Sequence, residues 1–215
     1  MKETIKVLLP VFAALLAGCA AMPSDVEIDK LTADIVKASF RDQGQARMDR
    51  LIQDDANREC NAADVAGKPI DEKAAKAIEA ANLKTIKWPS DGRYLGDWTE
   101  GEKIAQSGAG MTWSDPAGST SGGNCYNCHQ IDKKEISFGT IGPSLYNYGK
   151  SRGVSDPASP ASRLTLQYTW GKIWNPRAYN ACSNMPRAGH SGFLTEQQIR
   201  HVMALLLDPK SPVNQ

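Results

Sequence analysis

The sequence predicts an all-α chain: a small helical domain over residues 95–215, preceded by a helical extension over residues 19–94. Three observations carry this. Apolar residues recur at helical spacing near both ends, Ile28, Leu31, Ile35 and Val36 at one and Ile199, Val202, Met203 and Leu206 at the other. Helix-start signals open two windows, Asp71-Glu72 and Thr195-Glu196-Gln197-Gln198. No βαβ pattern is present. The length of 215 residues suits one domain plus an extension, and 23% charged with 41% hydrophobic residues is an ordinary globular composition. A formal net charge of +1 with no basic run gives no argument for nucleic acid.

Residues 1–18 read as a secretory signal of lipoprotein type. Lys2 and Lys6 form a positive start, and the apolar stretch Val7 to Ala17 is too short to span a bilayer. It ends in Leu15-Leu16-Ala17-Gly18-Cys19, which resembles a bacterial lipobox with Cys19 as the acylated first residue. Cleavage near Ala20 or Ala21 is the alternative. Removing residues 1–18 takes away two of 25 basic residues and one of 24 acidic, leaving 23 of each. Export places the chain in the periplasm, anchored through Cys19 if that residue is lipidated.

The extension is rich in Ala, Asp, Lys and Arg. We read two or three amphipathic helices: one around Ile28 to Val36, a second apolar patch at Leu51 and Ile52, and a stretch opening at Asp71 with Ala75, Ile78 and Leu83. Their stripes are narrow, so the block is expected to dock on something rather than fold alone. Trp88-Pro89-Ser90-Asp91-Gly92 is a turn signal and marks the boundary. Beyond it, Asp97 can cap a helix carrying Trp98, Ile104 and Ala105, and residues 108–123 form a Gly/Ser-rich loop. Pro157 and Pro160 precede a helix with Leu164, Leu166, Tyr168 and Ile173. The last helix opens on a capping box at Thr195 to Gln198 and stops before Pro209.

Cys125-Tyr126-Asn127-Cys128-His129 carries the chemistry. Two thiols three residues apart can each add to a vinyl group of one porphyrin, and the following histidine is placed to ligate its iron, the pattern of covalent haem c attachment. A zinc site wants a second paired motif, which the chain lacks. In an oxidising compartment the remaining pair, Cys60 and Cys182, is expected to form a disulfide, the alternative being two unrelated buried thiols. For the sixth iron position, Met185, His190, His201 and Met203 lie downstream of the motif. Met203 falls on the inner stripe of the last helix and His201 beside it. Met185 precedes Pro186, which restricts it to extended backbone, and lies 56 residues after His129, so it is the preferred ligand over His190. A His/Met pair favours ferrous iron and raises the potential. The His129 ring needs an acceptor to orient it, and the Pro143 carbonyl in Gly142-Pro143 is the candidate; a plain turn is the alternative.

The haem motif, the Gly142-Pro143 loop and Met185-Pro186 together resemble a class I cytochrome c. The flanks resemble SoxX more closely: Gly123-Asn124 before the motif, Gln130-Ile131 after it, Phe138 to Leu145, Trp174-Asn175-Pro176, and the helix from Leu194 to Ile199. SoxX is the monohaem subunit of SoxAX, which joins thiosulfate oxidatively to a cysteine of the SoxYZ carrier. The resemblance, over roughly residues 95–208, implies one haem c and a heterodimer with a SoxA-type cytochrome. It further implies transient contact with a SoxYZ-type carrier and a downstream electron acceptor. The complex would be an L-cysteine S-thiosulfotransferase, with the sulfur chemistry on the partner and this chain passing electrons. The block before residue 95 is longer than a minimal SoxX needs. A free-standing electron shuttle is the alternative function. A zinc or cluster site made by Cys60, Cys125, Cys128 and Cys182 is the third reading.

Overall fold

A computed structural model of the chain describes residues 23–215, so the expected signal segment and Cys19 lie outside the described residues. Contacts divide the chain into two units, with the break between Arg41 and Asp42. Among the described residues the regular structure is helical, apart from one isolated bridge between Gln43 and Ala46. No described helix is long and apolar enough to cross a membrane.

The first unit contributes helix α1, Asp25–Ser39. Its start is a capping box. Ser24 accepts from the Glu27 N–H at 3.4 Å, and the Glu27 carboxylate accepts from the Ser24 N–H at 2.8 Å. The acidic first turn and Lys37 in the last complement the helix dipole.

The second unit, Asp42–Gln215, holds the remaining elements. A 3₁₀ turn at Met48–Leu51 leads to α2, Asp55–Val65, and then α3, Glu72–Leu83. The compositional boundary at residues 88–92 is therefore not the division that the contacts make. Residues 42–94 belong to one unit with residues 95–215 because they are tied down by polar links more than by apolar stripes. Ala56 is the one buried residue of α2, and α3 has none. Leu51 and Ile52 do not form a helical stripe: they lie exposed on the turn, because the Asp54 side chain accepts from the Asn57 N–H at 2.8 Å and starts α2 after them. α3 starts as its sequence suggests, with Asp71 accepting from the Ala74 N–H at 3.0 Å.

The core is built by α4 (Trp98–Gln106), α6 (Arg163–Trp174) and α7 (Glu196–Leu207), with the short α5 (Tyr148–Ser151) beside α7. Helix α4 crosses α7 closely enough that a Cβ on Gly101 would overlap the His201 carbonyl. At the same crossing the Gly96 N–H donates to Arg200 O at 2.8 Å, and the Asp97 N–H donates to His201 Nδ1 at 2.8 Å. The Thr195–Gln198 capping box fixes where α7 begins. Behind it Ile199, Met203, Leu205 and Leu207 are essentially fully buried, each worth about 1.5–3 kcal/mol of transfer free energy. On α6 the inward residues are Leu166, Trp170, Ile173 and Trp174, while Leu164 faces solvent.

Buried polar groups join the extension to this core. Asn175, with no exposed surface, donates to Asn82 Oδ1 and Thr85 Oγ1, both at 2.9 Å. Trp170 Nε1–H donates to Lys87 O at 2.9 Å. At the C-terminus Asn214 accepts from the Gly149 and Lys150 N–H groups and donates to the carbonyls of Leu206 and Asp208, tying α5 to the end of α7.

Candidate functional site

The paired cysteines sit on a 3₁₀ turn, Cys125–Asn127, entered through Asn124 in the left-handed region at φ 49°. The Cys128 and His129 N–H groups both donate to Cys125 O, at 3.1 and 2.9 Å. One tight turn thus carries both sulfurs and delivers the histidine directly after them. Tyr126 between them is buried and anchors the turn: its hydroxyl accepts from the Asp132 N–H at 3.2 Å, and burial pushes the phenol up to about 12.

A second strand of loop lies alongside. The Gly139, Gly142 and Leu145 N–H groups donate to the carbonyls of Tyr126, Cys128 and Gln130, at 2.7, 2.8 and 2.7 Å. This holds Pro143 O 2.7 Å from His129 Nδ1. A carbonyl can only accept, so Nδ1 carries the proton and Nε2 keeps its lone pair for a metal. The His129 ring lies so close over Gly142 that a Cβ there would overlap it. Sequence reasoning named Pro143 but missed that Gly142 is required beside the ring; a glycine immediately before the accepting proline was the available signal.

The other expected residues are placed as follows. Met185 is partly buried against the same core as Cys125 and Leu145. His190 is exposed at its edge but loses part of its ring hydration, and this, then Arg187, shifts its pKa down. His201 is committed elsewhere, with Nδ1 accepting from Asp97 and Nε2 3.0 Å from Gln197 Nε2. Met203 has no exposed surface. Cys60 and Cys182 are joined by a disulfide with their Cα atoms 5.6 Å apart. That bond removes two of the four thiols a shared zinc or cluster site would need. Cys125 and Cys128 are the free cysteines among the described residues. Burial pushes the Cys125 thiol up to about 11, which makes it an uncharged sulfur in apolar surroundings.

One cluster near Met185 was not anticipated. Asp54 accepts from Arg177 Nη1 at 2.9 and 3.1 Å and pairs with Arg187 Nη2 at 2.8 Å, and Arg177 also donates to Asn57. Burial alone would raise the Asp54 carboxyl, but the Asn57 N–H and the two guanidinium groups outweigh it and hold it below its ordinary value. Asp54 carried only a helix-cap signal in the sequence, and nothing there linked it to arginines more than a hundred residues away.

The family model described as Cytochrome c matches residues 116–209. This part of the chain is a cytochrome c domain. Helix α4 lies ahead of the matched span yet packs on α7 within it. An uncharacterized lipoprotein of Aquifex aeolicus (strain VF5) is 34% identical over 207 residues, which cover 95% of this chain and 93% of the relative. The chain belongs to the same family as that protein, and the likeness takes in the extension as well as the cytochrome c domain. A cytochrome c domain carries covalently bound haem c and serves electron transfer. The residues present fit that group. Two sulfurs share one turn, a histidine is held in the tautomer that leaves Nε2 free, a glycine clears space for its ring, and a methionine is packed on the same core.

Proposed function

We propose that this cytochrome is a lipid-anchored monohaem electron carrier of the periplasm, working as the redox subunit of a SoxAX-type complex. Cys125 and Cys128 would form the thioether links, His129 and Met185 would ligate the iron, and Pro143 O would orient His129. When bound, the haem supplies one reversible electron-transfer centre, and a His/Met pair places its potential towards the ferrous form. The anchor follows from the Cys19 lipobox together with the lipoprotein relative.

The observation that carries the division of labour is the Cys60–Cys182 disulfide. With those thiols paired and the other two used for haem, no described cysteine remains to receive thiosulfate. Joining thiosulfate to a carrier thiol releases two electrons and one haem stores one, so a second redox centre or two sequential transfers is needed. The sulfur chemistry then belongs on the partner, with this chain relaying electrons. A membrane-tethered shuttle without a fixed partner is the second reading, favoured by the full-length likeness to a lipoprotein.

Purifying the tagged chain from its native membranes, with haem staining and mass spectrometry, tests the proposal. Co-elution of a second c-type cytochrome bearing a reactive cysteine, in near-equal amount, is the expected result. Recovery of the haem-bearing chain alone, with no thiosulfate-dependent reduction when carrier and partner are added, refutes the complex and leaves the shuttle.

A further inference from the structure

The segment between Tyr179 and Thr195 contains Met185 and has no helix or strand of its own. Within it most backbone bonds are local, such as Ser183 N–H to Asn180 O at 3.1 Å and Ser191 N–H to Arg187 O at 2.8 Å, and one reaches the core, from the His190 N–H to Trp174 O at 3.0 Å. Such a segment is fixed by what holds it from outside. On its downstream side the core holds it, through that bond and through buried Ala188 and Leu194; around Met185 the holds come from the extension. Cys182, three residues before Met185, is bonded to Cys60 of α2. Arg187, two residues after it, pairs with Asp54 at the start of α2. The Ala181 N–H donates to Glu79 of α3 at 3.3 Å, and just ahead of the segment Asn175 donates to Asn82 and Thr85.

We propose that residues 54–87 act as a brace on the Met185 segment, with Asp54 as a positioning residue for the sixth ligand. This rests on reading Met185 as that ligand. Asp54 stands at the point where two tethers meet. Its oxygens take both Arg177, two residues after the Asn175 anchor, and Arg187, two residues after Met185. The arginine side chains are 13% and 24% exposed and that of Asp54 38%, so these charge-assisted bonds are partly shielded from solvent. Releasing Arg187 would loosen the short stretch that carries Met185, between the Cys182 cross-link and the His190 N–H bond to Trp174 O. Met185 would then be held less firmly as a ligand, and an exogenous ligand would compete better for that position.

The test is Asp54→Asn in the full haem-loaded protein. Asparagine caps a helix as well as aspartate, so α2 keeps its start while the charge is lost. The readouts are the red-region absorption band of ferric iron bound by methionine and the carbon monoxide affinity of the ferrous protein. Met185→Ala is the reference for a lost ligand. Asp91→Asn is the control for a purely structural loss, since Asp91 pairs with Arg200 at similar exposure on α7. The expected result is a weakened band and about a tenfold rise in carbon monoxide affinity for Asp54→Asn, equal to about 1.4 kcal/mol. Asp91→Asn should show neither. If Met185→Ala binds carbon monoxide tightly but Asp54→Asn keeps parental affinity and band, the brace is refuted and the ligand stands. If Met185→Ala itself keeps the band, the ligand assignment fails and the brace falls with it.

Discussion

Replacing Cys60 and Cys182 together with alanine should destabilise the protein strongly while leaving its haem attachment intact. The bonded cysteines are 122 residues apart. A cross-link over that span removes about 4.9 kcal/mol of chain entropy from the unfolded state at 25 °C in the loop-closure model. Measured losses usually fall below the model, in the range of about 2–5 kcal/mol. For a domain of this size each kcal/mol moves Tm by roughly 2–4 °C, so the melting point should fall by about 4–20 °C. Both residues are replaced because a single change would leave a free thiol able to pair with Cys125 or Cys128. The assay is thermal unfolding of the haem-loaded protein by circular dichroism, with reversibility checked by rescanning. The thioether links close only a short ring and do not alter the long-range entropy. A Tm within about 2 °C of the parent would refute the reasoning. It would mean that the unfolded chain already holds its two ends together, or that the cross-link strains the native state by as much as it stabilises it.

Gly142→Ala should push the His129 ring from its position, at a cost of about 1–3 kcal/mol for overpacking, and alter the ferric spectrum while haem stays attached. An unchanged spectrum and Tm would show that the loop gives way instead. Hydrogen bonds from Arg200, then Arg93, hold the Asp91 carboxyl well below its ordinary value of 3.8. A depressed carboxylate stabilises the fold above its unfolded pKa and loses that contribution as pH falls through the folded value. The Tm difference between parent and Asp91→Asn should therefore be flat near neutrality and shrink below about pH 4. A difference that grows in acid would contradict the pairing. Trp170→Phe should lower stability by about 1–3 kcal/mol, because Lys87 O loses its buried donor; denaturant melts would measure it. Cys19→Ser should move the protein from the membrane fraction to the soluble fraction after lysis, as followed by haem staining.

The helix starts were legible because capping is local. Asp71, Asp97 and Thr195 each reach a backbone N–H within three residues, and the sequence carries that information at short range. The geometry at His129 was legible for a related reason: Pro143 lies 14 residues on, within one loop, and a Gly-Pro step leaves few conformations. Less legible were the polar links between distant partners, in contrast to the Cys60–Cys182 pair, which the cysteine count alone suggested. Leu51 and Ile52 look like a helical stripe until Asp54 is seen to start α2 after them. The change of composition near Trp88 marks where apolar residues become dense, but Asn82, Thr85 and Lys87 are bound to Asn175 and Trp170 across it. The Asp54–Arg187 pair spans most of the folded unit, and no spacing rule connects its members.

The disulfide also sets a problem of timing for the maturing chain. Thioether formation consumes reduced sulfurs at 125 and 128, whereas residues 60 and 182 must be oxidised in the same compartment. Four thiols allow three ways of pairing, and the short ring between 125 and 128 closes with the smallest entropic penalty. Left to an oxidant, the newly made chain would close that ring first and block its own haem site. Biogenesis therefore needs either haem addition ahead of oxidation or a reductant that reopens the short ring while sparing the long-range bond. The covalent map of the finished protein is in this sense a record of the order in which it was made.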